Sequence, residues 1–230
     1  MGDEKVNQQT VEIAKSVKRV LETIPPGVIL IAAAKGRTPA EVEAAIQAGV
    51  TCVGHNYVQE AERMIGVVGT QVQWHMIGHL QQNKAKKAVQ LFDMVETLDS
   101  WRLAVAIDQR CAAINKVMPV LVEINSGREA NKTGVLPKDV DDLVRRLSEL
   151  QHIHVQGLMT LGPRFGDPAK ARPYFQATHE AFERLAAINL PNITMRYLSM
   201  GMSNSYRVAL EEGANIVRIG TGIFGDRLEK

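Results

Sequence analysis

The stretch VILIAAAKGRTPAEVEAAIQAG, residues 28–49, reads as one complete strand–turn–helix unit. Residues 28–34 are apolar without alternation, as expected of a parallel strand covered on both faces. Thr38 offers a capping hydroxyl before Pro39 at the first helical position. Glu41 and Glu43 place negative charge in the first turn, and Gly49 ends the helix. Between strand and helix stands a lysine, Lys35, directly after three alanines.

The same pattern recurs along the chain. Strands are expected at 28–34, 51–54, 73–77, 94–97, 117–124, 155–160, 195–199 and 216–219. Helices are expected at 39–48, 58–67, 84–91, 100–115, 137–150, 169–188 and 203–212, with one more, 8–21, ahead of the first strand. Pro137 and Asp139 open one helix, and Gly213 ends another. Eight strands alternating with helices predict an α/β fold, a single (β/α)8 TIM-type barrel spanning 1–230 with an extra N-terminal helix. A doubly wound sheet is the alternative, because periodicity does not say whether a sheet closes.

Composition narrows the partners. Lys+Arg 27 against Asp+Glu 25 gives a net charge of +2, with no basic field for nucleic acid. The run NKAKK, 83–87, reads as a solvated helix face. Cys52 and Cys111 sit in apolar contexts and are expected buried and reduced. The polar N-terminus lacks an apolar leader, and no run is long enough to cross a bilayer. A cytoplasmic monomer without membrane contact is the expectation.

In a barrel the active site gathers just past the strand ends. In order, those positions hold Lys35, Asn56, Gly78-His79, Asn125-Ser126-Gly127, Met159-Thr160, Ser199-Met200-Gly201 and Arg218-Ile219-Gly220-Thr221-Gly222. A strand-end lysine that loses hydration has its neutral amine favoured and can attack an aldehyde. The glycines around Thr221 let backbone N–H groups approach an anion, Ser199 adds a hydroxyl, and residues 200–203 read as the start of a helix. Lysine and phosphate cradle together call for an aldehyde-bearing phosphate. Pyridoxal 5′-phosphate (PLP) fits, and so does a sugar phosphate held by a Schiff-base aldolase. His75 and His79 straddle a strand end and Gly78, so their spacing does not describe a helical metal pair. His152 and His154, near a strand start, read as structural, and Trp74 and Trp101 as core or interface.

Larger motifs sharpen this choice. HNYVQEAE at 55–62, WHMIGHLQQNKAKK at 74–87, GLMTLGP at 157–163 and LSMGMSNSYRVALEEGANIVRIGTGIFG at 198–225, with the strand ending in Lys35, resemble the YggS/PROSC family of PLP homeostasis proteins, related to the alanine racemase barrel. The resemblance implies that Lys35 is the Schiff-base lysine. It implies that Ser199, the Met200 backbone, Gly220 and Thr221 hold the phosphate, that Arg218 faces the pyridine nitrogen, and that Asn56 and His75 line the ring. Two departures stand out. Gly54-His55-Asn56-Tyr57 carries histidine where the family usually has glutamate, and the segment 126–134 is one residue longer before Lys132.

PLP accelerates chemistry by acting as an electron sink. A guanidinium, always a donor and always charged, would keep the ring nitrogen unprotonated and weaken that sink. Racemases of this resemblance take a second acid/base tyrosine from another domain, and Tyr57 and Tyr206 read here as packing residues. The expected function is a PLP carrier or buffer, with PLP-requiring apo-enzymes as possible recipients; the alternative is a weak racemase-like enzyme.

Overall fold

A computed structural model describes residues 2–129, 132–163 and 166–226, with side chains from residue 8 onward. Helix α1 (Gly2–Glu22) precedes eight βα units. The strands are β1 (Ile29–Ala33), β2 (Cys52–His55), β3 (Gln73–Met76), β4 (Met94–Leu98), β5 (Met118–Ile124), β6 (Ile153–Thr160), β7 (Ile193–Ser199) and β8 (Ile216–Ile219). They pair in sequence order, all parallel, and β8 returns to β1, so the sheet closes into a barrel. The doubly wound alternative is thereby ruled out.

The intervening helices are α2 (Pro39–Gln47), α3 (Val58–Val68), α4 (Ala85–Leu91), α5 (Trp101–Ala112), α6 (Val140–Leu147), α7 (Arg172–Ala186), α8 (Tyr206–Glu211) and a short α9 (Thr221–Phe224). The expected cap of α2 is present as a full capping box: Glu41 N–H donates to Thr38 Oγ1 at 3.3 Å, and Thr38 N–H to Glu41 Oε2 at 2.7 Å.

Several helix starts move inward from their expected positions. Residues 82–84 form a 3-10 turn ahead of α4, and 168–171 another ahead of α7. The largest shift is at α8, expected from 203 but starting at Tyr206. Ser205 Oγ accepts from Met202 N–H at 3.3 Å, and this side-chain bond holds 202–205 as a turn. The chain continues into α9, a helix the periodicity did not reveal.

Two cores result. The outer one lies between strands and helices and includes Trp74, Phe92 and Phe175. The inner one fills the barrel with Ile31, Cys52, Ile77, Met94, Leu121, Met159 and Ile216. Cys52 and Cys111 are both free and buried. Among the described residues no helix is long and apolar enough to cross a membrane.

Candidate functional site at the barrel mouth

Lys35 lies two residues past the end of β1, half-buried. Its Nζ donates to Tyr57 Oη at 3.1 Å and stands 4.7 Å from the centre of the Tyr57 ring. Tyr57 is 48% exposed, so it is a mouth residue rather than a packing one. Tyr206 bridges elements instead, its hydroxyl 2.8 Å from Thr23 Oγ1 on the segment after α1.

β8 is the direct neighbour of β1, with Ile31 opposite Arg218 and Ala32 opposite Ile219. The turn from Gly220 to Gly222 therefore leaves the barrel beside Lys35. Two of its backbone N–H groups converge on one oxygen: Gly220 N–H and Gly222 N–H donate to Ser203 Oγ at 3.2 and 3.1 Å. Such convergence marks a place where an acceptor is held by backbone donors. Ser203 was not among the expected site residues.

Ser199 and Met200 do not present free groups to this turn. Met200 N–H donates to Ile216 O at 3.1 Å, within the sheet. Ser199, fully buried, turns its hydroxyl into the barrel and donates to Glu96 Oε2 at 2.6 Å. The same hydroxyl accepts from Arg218 Nη1. Arg218 is 3% exposed; its Nη2 donates to Thr160 O at 2.8 Å, and its Nη1 lies 3.8 Å from Glu96 Oε2. His75 Nδ1 is 2.7 Å from Glu96 Oε1. Glu96, on β4, is thus the hub joining His75, Ser199 and Arg218.

Electrostatics explain why this hub survives burial. Burial pushes the Glu96 carboxyl up, but the His75 hydrogen bond, the His75 and Arg218 charges and the Ser199 hydroxyl together hold it below its ordinary 4.5. Burial pulls the Arg218 guanidinium down, opposed by Glu96 and Glu123. The result is an ionised carboxylate against a guanidinium, both satisfied by hydrogen bonds.

Asn56 follows β2 at the mouth, where a pocket of about 320 Å³ includes Asn56, Tyr57, Gly78, His79 and Gln81 in its lining. Gly78 is there because nothing larger fits. A Cβ would stand 2.5 Å from Asn56 O and 2.6 Å from Asn56 Cα. The histidine of Gly54-His55-Asn56-Tyr57 lies behind the strand, away from this pocket. His55 is 1% exposed, stacks on Trp74 with ring centres 5.9 Å apart, and has no hydrogen-bond partner on either nitrogen. Burial, opposed by Glu60, lowers its pKa to about 4.

Further round the mouth, Glu123 is 2% exposed and accepts from Thr133 Oγ1 at 2.8 Å. Burial raises its pKa, against the Thr133 bond. The longer loop is held by Asn125, whose Nδ2 donates to Glu129 O at 2.8 Å and Lys132 O at 3.2 Å; Ala130 and Asn131 lie outside the described residues. His79 is 3.3 Å from Asp99, and no group of three or more metal-ligating side chains assembles among the described residues. His154 meets Thr194 near the opposite end of the barrel.

Known proteins resemble this chain in sequence and in fold. The profile of the alanine racemase N-terminal domain matches residues 12–228. The pyridoxal phosphate homeostasis protein of Aquifex aeolicus (strain VF5) is 38% identical over 199 residues, 86% of each chain. That of Pasteurella multocida (strain Pm70) is 32% identical over 228 residues, covering 96% of this chain and 97% of the relative. The structure of PipY from Synechococcus elongatus PCC7942 with PLP bound superposes at a TM-score of 0.82 with 31% identity, over 93% of this chain and all (100%) of that one. An alanine racemase of Clostridium difficile 630 matches in fold alone, at a TM-score of 0.76 and 15% identity over 58% of its length. By match along nearly its whole length, the chain belongs to the alanine racemase N-terminal domain family, among the pyridoxal phosphate homeostasis proteins.

Proposed function

We propose that this protein binds PLP at the barrel mouth, holds it as a Schiff base on Lys35, and serves as an intracellular PLP carrier or buffer without robust turnover. The observation that supports this reading is the β1–β8 pairing, by which the strand end that leads to Lys35 neighbours the strand end that leads to the backbone donors of Gly220 and Gly222. The donor set fits the group: an amine for an aldehyde, converging N–H groups for a phosphate, and a guanidinium below the mouth for a ring nitrogen.

In this reading Gly220, Thr221 and Ser203 bind the phosphate, which takes the acceptor place of the Ser203 hydroxyl. Ser199 and Met200 act from beneath, Ser199 by orienting Arg218 and Met200 by tying β7 to β8. Asn56 closes one side of the ring, and His75 acts on it through Glu96 and Arg218. PLP supplies an electron sink when bound. Arg218, held cationic by Glu96, keeps that sink shallow, since a guanidinium gives no proton to a ring nitrogen. Release by exchange with another amine would hand PLP on to apo-enzymes that require it.

The absorption spectrum of the protein with added PLP tests this directly, followed by borohydride reduction and peptide mapping beside Lys35→Ala. A yellow band lost in the variant, with the reduced adduct on Lys35, is expected. A protein that gains no band with PLP would overturn the reading. One observation favours the racemase-like alternative: the Tyr57 hydroxyl stands within hydrogen-bond reach of Lys35 and could serve as a second acid/base group. Exchange of amino-acid α-protons in deuterated water, lost in Tyr57→Phe, would establish it.

A further inference from the structure

The polar network below the mouth is not sealed from beneath. A cavity of about 340 Å³ enters the barrel among the strand starts at its floor, with Thr51, Gln73, His75, Asp93, Gln156 and Tyr197 as its polar lining. Of Glu96 and the three side chains joined to it, His75 alone reaches that lining. Its side chain is 7% exposed. Beside His75 the interior is tightly packed and apolar: a Cβ on Gly54, its register neighbour, would meet Ile77 Cδ1 at 2.6 Å and Ile31 Cγ2 at 2.8 Å. The ring's chemistry is set by its partner. An ionised carboxylate only accepts, so Nδ1 carries the hydrogen toward Glu96 and Nε2 is the basic atom of the neutral ring.

We propose that His75 exchanges protons with solvent through the floor of the barrel, and that its charge, coupled through Glu96, sets how strongly Arg218 polarises a ligand at the mouth. The second half rests on the reading of the mouth as a PLP site. A proton from hydronium adds to Nε2 and releases water, while the Nδ1 hydrogen stays on Nδ1 and is donated to Glu96, so the His75–Glu96–Arg218 set passes from net neutral to singly positive. The only bonds that change are the new Nε2–H bond and the broken O–H bond of hydronium. Facing His75 are Glu96 from β4, Asp93 just before it, Cys52 from β2, Tyr197 from β7 and, through Glu96, Arg218 from β8. No further charged side chain among the described residues lines the cavity. The floor therefore offers a proton route that a ligand at the mouth does not block.

Two measurements test this. The first is exchange of the His75 Cε1 hydrogen in deuterated water, followed by peptide mass spectrometry, in the wild-type protein with and without PLP. A floor route keeps the two rates within about twofold of each other, whereas slowing by about tenfold on loading means access through the mouth and overturns the route. The second is the pH profile of the PLP absorption band. The pH at which the band shifts is expected to move in Glu96→Gln, and the transition to vanish in His75→Gln, whereas loss of a merely structural role would change only how much PLP is bound. An unchanged transition in His75→Gln refutes the coupling. A wild-type protein that takes up no PLP overturns the mouth reading and the coupling with it, while the exchange rate of the free protein against the exposed His79 still decides whether the floor admits solvent.

Discussion

Glu96→Gln is the perturbation that reads the polar hub most directly. The substitution keeps the shape of the side chain and leaves His75 and Ser199 within hydrogen-bonding reach, but removes the only negative charge within 4 Å of Arg218 among the described residues. Arg218 is then a buried cation left with only the more distant Glu123 as a counter-charge. Breaking a buried pair from one side costs about 3–5 kcal/mol. For a chain of this size each kcal/mol moves Tm by roughly 2–4 °C, so a fall of about 6–20 °C is expected. Thermal unfolding of the PLP-free protein at neutral pH, followed by circular dichroism, reads it without involving the ligand. The double variant Glu96→Gln, Arg218→Gln should recover part of the loss, because neither charge is then stranded. The sign with pH also follows. The Glu96 carboxyl is depressed in the fold, so its contribution is present above its ordinary 4.5 and is lost as pH falls through the folded value. The variant should therefore lose the acid-side fall in stability that Glu96 contributes. A drop below about 3 °C, with strict additivity in the double variant, would refute the hub as an interdependent unit.

Other expectations follow from single residues. His55 is held neutral by burial, with a pKa lowered to about 4 from an ordinary 6.5, so the unfolded chain binds its proton first and stability falls as pH drops between those values. The full loss is about 3 kcal/mol, and His55→Phe should remove that slope in denaturation curves taken from pH 7 to pH 4; an unchanged slope would place the acid sensitivity elsewhere. The Glu123 carboxyl is raised by burial, so its ionisation opposes folding as pH rises from its ordinary 4.5 through the folded value. Glu123→Gln should therefore gain more Tm at pH 8 than at pH 4, and equal gains at both would contradict this. Gly78→Ala must displace the Asn56 backbone, costing about 1–3 kcal/mol by overpacking and weakening PLP uptake more than a surface alanine would; wild-type Tm and titration would show that the loop gives way freely.

How much of this was legible in the sequence depends on which physical signal each part leaves. The barrel was legible because parallel strands covered on both faces are apolar throughout, and 28–49 carries strand, cap and stop in one unit. Closure was not, since strand periodicity is the same in an open and a closed sheet; only the β8–β1 pairing decides it. Lys35, Asn56, Arg218 and Gly220 could be found because each interrupts or follows an apolar run at a strand end. Glu96 belongs to the same class of signal and was passed over. It sits inside MVETL, two residues from inward-facing Met94, where a carboxylate in a parallel strand has no solvent face to occupy. Strand parity alone places it in the barrel interior, and a charge there demands a partner. Ser203 left no such trace: its place at the Gly220 turn exists because Ser205 delays the start of α8 by a turn, a contact decided by two side chains of nearly equal propensity.

The same contrast explains the division of labour among the polar residues. Those at the strand ends meet solvent and ligand, and their identities follow from what they must touch. Those one layer down are tied chiefly to one another, so each is intelligible only with its neighbours in hand. Arg218 belongs to both layers. In the proposed reading it is the cation that meets a ring nitrogen; read with Glu96, Ser199 and the Thr160 carbonyl it is a cation whose charge is already shared. If PLP binds as proposed, a site built this way holds an electron-poor ring without deepening its electron demand, which suits the proposed carrier role better than turnover. The stability of Glu96→Gln and the pH response of His75→Gln separate these layers, because the first reads the network without ligand and the second reads what the network passes to it.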